Sequence, residues 1–228
     1  MKHFFCIAIA FIGLTASAQT NQELKKHFEN YYELMKSQGD VQGIVNAMTH
    51  LEALEPSQAR RDTLAYLYVS EGRNLEALNT LGIEYSATDS DISVEVKAIA
   101  LKALNQGDKA LVFYEELFKR EANPYLAYEM ADLKVQTKDF EGAKKNIEYG
   151  IANAKDDMKR AFYEKQQPYQ TSLKAAFLYL KGLVIFNENQ EANLGASLKL
   201  MNEALEIDPN FNMAKISREA LESRKVKN

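Results

Sequence analysis

A recurrence of 33 residues constrains this chain more than any other feature. Ile44, Ala77, Ala110 and Ala143 each follow the last by that interval. Each stands shortly after a polar turn: Gly39-Asp40, Gly72-Arg73-Asn74, Gly107-Asp108 and Lys138-Asp139. Apolar residues at 3-and-4 spacing lie on both sides of every turn, which is the pattern of two helices that each bury one face. One such hairpin cannot cover its own apolar stripes, so the unit must stack on copies of itself.

The first unit spans Asn21 to Ser57, with Leu24, Phe28, Tyr31 and Met35 before its turn and Ile44 or Val45, Met48, Leu51 and Leu54 after it. The second spans Gln58 to Ser90, with Leu64, Leu67 and Tyr68, then Leu75, Leu78 and Leu81. Asp89-Ser90-Asp91 offers the third unit an N-cap, because short side-chain oxygens accept the free amides of a first turn. Val96, Ile99 and Ala103, then Leu111, Tyr114 and Leu117 or Phe118, mark its helices, and its turn is short. Asn123-Pro124 opens the fourth unit, since proline is tolerated in a first helical turn. From Ala143 to Ser197, the matching position of a fifth unit, the interval is 54 residues. The excess lies in a charged and aromatic insertion, 155–172, and in a longer turn at 188–193. Asp156-Asp157 is expected to cap a short helix through Met158, Phe162 and Lys165, ended by Pro168. Asn212 to Arg224 reads as a last helix with Met213, Ile216 and Ala220 inward. No segment shows sustained apolar–polar alternation, so no sheet is expected.

The fifth unit carries Gly182 midway along its first helix, Ala204 late in its second and Pro209 beyond it. With a period of about 34 residues this resembles the tetratricopeptide (TPR) repeat. The resemblance implies an all-α fold: a right-handed α-solenoid of about five helix-turn-helix repeats with a C-terminal capping helix. The second, third and fourth units lack the closing proline, and no first helix begins with the family's frequent tryptophan.

The first residues have another character. Lys2-His3 is a basic start, Phe4 to Leu14 an apolar run too short to span a bilayer, and Ala16-Ser17-Ala18 a small-residue cleavage signal. Residues 1–18 are therefore expected to be a secretory signal peptide and 19–228 the solenoid domain. The single cysteine, Cys6, goes with the signal, which leaves neither a disulfide nor a thiolate. No second apolar run approaches membrane length. Net charge is −4, with both signs interspersed, which argues against a nucleic-acid footprint.

No motif in the sequence carries catalysis, a metal or a cofactor. His27 and His50 lack metal-ligand spacing, and phosphate loops and nucleophile elbows are absent. Adjacent acids such as Glu115-Glu116 and Asp156-Asp157 point apart on a helix. The chain has 12 tyrosines and 11 phenylalanines, and most fall on inward stripes. In the TPR family, first-helix positions beside the apolar stripe line a concave groove. Carried onto this sequence they are Glu29, Glu33 and Lys36; Asp62, Tyr66 and Val69; Lys97, Leu101 and Leu104; Tyr125, Tyr128 and Asp132; Tyr179, Leu183 and Phe186. Glu29 and Glu33 stand where the family's carboxylate clamps hold basic residues, so that activity does not carry over.

Three functions fit these observations. The first is a non-catalytic module of the cell envelope that binds a peptide or partner protein through Tyr66, Lys97, Leu101, Tyr125, Tyr128, Asp132, Tyr179, Leu183 and Phe186. The second is a small-ligand binder or enzyme with Tyr163, Glu164, Gln167 and Tyr169 under the insertion. The third is self-association through the solenoid ends or groove. If the signal is cleaved, the intact mass of the exported protein corresponds to a chain beginning at Gln19; a species retaining residues 1–18 would refute it.

Overall fold

The computed structural model describes residues 20–225. Among these, eleven helices pack in consecutive pairs. The first four pairs are α1 (Asn21–Gln38) with α2 (Val41–Leu54), α3 (Gln58–Ser70) with α4 (Asn74–Leu81), α5 (Asp91–Ala103) with α6 (Gly107–Arg120), and α7 (Pro124–Gln136) with α8 (Phe140–Asn153). A two-stranded hairpin follows, β1 (Lys159–Phe162) and β2 (Tyr169–Ser172). Then come α9 (Leu173–Glu188), its partner α10 (Leu194–Ile207) and α11 (Asn212–Lys225), which packs on α10. No described helix is long and apolar enough to cross a membrane.

The 33-residue period has a steric cause. Ala77, Ala110, Ala143 and Ser197 are each the fourth residue of a second helix, and all have zero exposure. Opposite them stand Ala65, Ala98 and Ala131, equally buried, and Gly182. Each alanine pair shares one core cluster. At the fifth pair the Ser197 hydroxyl donates to the Gly182 carbonyl at 2.9 Å. Small residues at these crossings let the two backbones approach closely. The first repeat solves the problem differently: Gly43 lies beneath Met35, whose sulfur would stand 2.3 Å from an added Cβ.

Turn geometry repeats at the same interval. Gly39, Gly72, Asn105 and Lys138 all adopt φ between 57° and 72°, each one closing a first helix. At the first three, the next residue's amide reaches back five residues, as from Asp40 to the Met35 carbonyl at 3.0 Å. This is the left-handed helix stop that glycine adopts without cost. Sequence reading assigned the third turn to Gly107-Asp108; instead Asn105 makes the turn and Gly107 opens α6. The expected caps form at Ser90 and Asn123, which accept from the Ser93 and Leu126 amides.

First helices of successive repeats touch across the α3–α5 and α7–α9 boundaries, whereas among the described residues no two second helices make comparable contact. First helices therefore line the inner curve. The α3–α5 joint is polar. Buried Asp62 accepts from the hydroxyls of Ser90 at 2.6 Å and Ser93 at 2.7 Å and from Gln58 at 2.7 Å. Burial pushes its carboxyl up, but these hydrogen bonds outweigh burial and hold it below the ordinary aspartate value.

Four further expectations need correction. A sheet exists: 155–172 holds a hairpin rather than a short helix, and its pairing puts Arg160, Phe162, Tyr169 and Thr171 on one face and Lys159, Ala161, Gln170 and Ser172 on the other. Leu75 is 61% exposed, since the inward positions of α4 are Ala77 and Leu78. In α11, Ile216 and Ala220 face solvent while Ala214 and Leu221 are buried. The third helix phase also differs, with consequences for the wall described below. The signal-peptide reading lies outside the described residues.

Lys138 is the one turn residue with a bulky side chain at positive φ, 64°. Left-handed backbone costs a non-glycine residue about 1–2 kcal/mol, part of which glycine's entropy gives back. Lys138→Gly should therefore raise stability by about 0.5–1 kcal/mol. Gly72→Ala should lower it, with no atom within 4 Å to clash, so the effect is purely backbone. Urea midpoints of the two variants, moving in opposite directions, check the assignment.

Candidate functional site: the inner wall and its hairpin

Counting from each buried alanine, the wall positions also recur at 33 residues. Asp62, Glu95 and Tyr128 form one row, Tyr66, Ile99 and Asp132 the next, and Val69, Lys102 and Val135 the third. In the third repeat the wall is therefore Glu95, Ile99 and Lys102, together with exposed Ile92. Lys97 and Leu101, expected there, are 1% and 0% exposed and belong to the interior; Leu104 is only half-buried, at the end of the same interior stripe. The Lys97 ammonium donates to Asp89 at 2.7 Å and to the Glu84 carbonyl at 2.8 Å, and so ties down the α4–α5 loop. Counting twelve residues back from Ala110 to Ala98, as in the neighbouring repeats, recovers the correct phase.

The hairpin lies on the wall of the later repeats. Its register pairs Arg160 with Thr171 and Phe162 with Tyr169, so all four point to one face. Phe162 meets Tyr128 edge-on at 6.5 Å, Phe211 at 5.0 Å and Tyr169 at 5.8 Å. Tyr128 also meets Phe177 at 5.4 Å, and Tyr179 meets Phe211 at 5.3 Å. Tyr128 and Tyr179 are consequently 2% and 6% exposed. Burial pushes both hydroxyls above the ordinary tyrosine value. These two tyrosines line a filled groove, not an open one.

A charge network fastens the hairpin's outer strand. Arg160 pairs with Glu129 of α7, and its guanidinium lies 4.2 Å from the Tyr128 ring centre. Lys102 of α5 pairs with the same Glu129 and with Asp132 at 2.9 Å. Burial works against the Arg160 charge, but Glu129 outweighs it and the guanidinium is held more firmly protonated. On the other strand, Thr171 donates to Asp208. Two of the four polar groups expected under the insertion are used internally: Glu164 accepts from the Tyr169 hydroxyl at 2.6 Å and from Asn212 at 3.2 Å. Tyr163 and Gln167 are exposed at the hairpin tip.

The wall before the hairpin is open. Tyr66 and Tyr125 are 52% and 43% exposed, and Ile92 is 45%. Beside Tyr125 is a cavity of 380 Å³ lined by Glu95, Leu117, Arg120, Glu121 and Leu126. Leu183 and Phe186 are separate from it, half-buried against α11 around a cavity of 140 Å³. Thus the structure divides the expected groove residues among the open wall (Tyr66, Tyr125), the charge network (Asp132), the hairpin core (Tyr128, Tyr179), the repeat interior (Lys97, Leu101) and the cap contact (Leu183, Phe186). Glu95, Ile99, Glu129 and Arg160 were missed. No sequence signal marks Arg160, because Lys159-Arg160-Ala161-Phe162 lacks apolar–polar alternation.

No protein-family model and no curated protein matches the chain. Solved structures do. A tetratricopeptide repeat protein from Parabacteroides merdae ATCC 43184 superposes with a TM-score of 0.64 at 15% identity, over 86% of this chain and 72% of that one. YrrB, a TPR protein with an unusual peptide-binding site, gives 0.64 at 13% identity over 84% and 90%. The APC/C hetero-tetramer Cut9-Hcn1 gives 0.55 at 14% over 89% of this chain, which spans 39% of that one. The fold is accordingly that of the tetratricopeptide-repeat solenoids.

If the hairpin makes Tyr128 core, Tyr128→Ala should cost about 3–5 kcal/mol, as large aromatic truncations do. Tyr125→Ala, one turn away on the open wall, should move the denaturation midpoint little. Equal effects would refute the division.

Proposed function

We propose that this chain is a non-catalytic protein-interaction module whose open inner wall, between α1 and α7, holds a segment of a partner protein. The exposure of Tyr66, Ile92 and Tyr125 on the lining helices carries this reading. Tyrosine gives large contact area at small conformational cost and is favoured at interfaces. Their exposure contrasts with the burial of Tyr128 and Tyr179 on the later first helices. A solenoid presents such a wall to extended partners. Peptide binding described for the similarly folded YrrB accords with this use of the fold. The signal-like residues 1–18 support work outside the cytoplasm, as a binding or scaffolding component of the cell envelope. We keep Asp132, extend the binding surface to Glu95 and Ile99, and remove Lys97, Leu101, Tyr128 and Tyr179, whose side chains are engaged inside the fold.

The test is the double variant Tyr66→Ala with Tyr125→Ala. It should keep the wild-type melting temperature and lose the proteins captured by the wild-type chain from an envelope extract. Undiminished capture by the folded double variant would overturn the wall as the binding surface. Capture of this chain alone would point to self-association.

A further inference from the structure

The hairpin presents an unpaired strand edge beside the open wall. The Leu173 amide donates to the Met158 carbonyl at 2.9 Å. With Lys159 opposite Ser172 and Arg160 opposite Thr171, the hydrogen-bonded pairs are 160 with 171 and 162 with 169. The amides and carbonyls of Lys159 and Ala161 therefore point away from β2. Among the described residues no hydrogen bond engages them. The edge also has a direction. Arg160 of β1 reaches Glu129 on α7, whereas Thr171 of β2 reaches Asp208 and the tip binds Asn212 of α11. β1 is thus the outer strand on the side of the open wall. The space between it and α7 is bridged by side chains, and their backbones make no extensive contact.

Resting on the proposed use of the open wall, we propose that the free edge of β1 adds a partner's extended segment as a third strand. Two outward amides and two outward carbonyls supply main-chain hydrogen bonds, and alternate partner side chains fall on the wall below. Charge selects those side chains. Glu129 and Asp132 are paired with Arg160 and Lys102, and Glu29 with Lys25, which leaves Glu33 and Glu95 against Lys36 along this surface. The fitting segment is extended, without proline, and alternates basic with apolar residues.

An alternating lysine–valine decapeptide is a suitable probe, with a glutamate–valine decapeptide as charge control. Titrated into the mature protein, the basic peptide should bind about tenfold or more tighter than the acidic one. It should slow hydrogen exchange at the Lys159 and Ala161 amides. Ala161→Pro removes an outward amide at a position where an edge strand tolerates proline, so the protein should stay folded while binding weakens by about tenfold. Should that variant lose the hairpin, N-methylation of the peptide's alternate amides breaks the same ladder without altering the protein. Binding that leaves both amides unprotected, or no binding at about millimolar peptide, overturns the proposal. Binding lost in the Tyr66→Ala, Tyr125→Ala variant without protection at Lys159 and Ala161 would leave the wall reading standing and strand addition refuted. Protection that survives in that variant would do the reverse. Concentration-dependent protection without peptide would mean the edge pairs with a second copy, which also overturns it.

Discussion

Everything in this fold depends on how closely two helices can cross at one point in each repeat. Where Ala65 meets Ala77, Ala98 meets Ala110 and Ala131 meets Ala143, no side chain holds the helices apart. Close crossing fixes the rotation of both helices about their axes, and that rotation decides which residues face inward. Asp62, Glu95 and Tyr128 share a row only because the alanines three residues later are locked at the crossing. The turn is set by the same geometry. A left-handed residue at Gly39, Gly72, Asn105 or Lys138 is needed to bring the second helix back over the small residue. Glycine serves twice, and two non-glycine residues accept the strain because packing over-determines the turn.

Polar groups play a different part from apolar ones. The small-residue crossings hold each repeat together internally. Several joints between repeats are charged or hydroxylated: Asp62 with Ser90 and Ser93, and Lys102 with Glu129 and Asp132. Half-buried polar joints contribute modestly to stability but have strict geometry, so they set the angle between neighbouring repeats more than the strength of their contact. In the later repeats the joint is apolar instead, because the hairpin drives Phe162 against Tyr128 and Phe211, and Tyr128 packs on Phe177. The largest apolar cluster lies there, from α7 to α11. The two halves of the solenoid are thus unlike, a polar-jointed open half and an aromatic closed one.

Most of the architecture was legible in the sequence because a repeat multiplies weak signals. One alanine says little, but Ala77, Ala110 and Ala143 at equal spacing specify a crossing, and the helices on either side follow. The errors fall where the multiplication fails. In the third repeat Val94, Val96, Ala98, Ala100 and Leu101 are all buried, so the helix is apolar on several sides and its phase cannot be read from periodicity alone. The hairpin occurs once, in two strands of four residues, the first without apolar–polar alternation. Its residues also satisfied a competing reading, since Asp156-Asp157 resembles a helix cap and Pro168 a helix stop. Ile216 and Leu75 misled for a simpler reason: large apolar residues were assumed to be inward, but a solenoid has exposed surface on both sides of every layer.

The fate of the tyrosines shows why groove and core could not be told apart by residue type. Tyr66, Tyr125, Tyr128 and Tyr179 all stand on first helices at positions facing the inner curve, and the same physical chemistry suits them to either role. Only Tyr128 and Tyr179 are covered: Phe162 of the hairpin meets Tyr128 from 34 residues further along the chain, and Phe211, which packs on Phe162, meets Tyr179 from 32 residues further along. Sequence distance gives no warning of this, because the insertion returns across the curve from the α8–α9 connection. The curve is open or closed according to how far that segment reaches. It reaches α7 through Arg160 and no further, since Glu129 shares its charge between Arg160 and Lys102 and so marks the boundary. On one side of Glu129 the concave face is already occupied by the protein's own strand. On the other it keeps the shape, the exposed rings and the acidic surplus that an additional strand would meet.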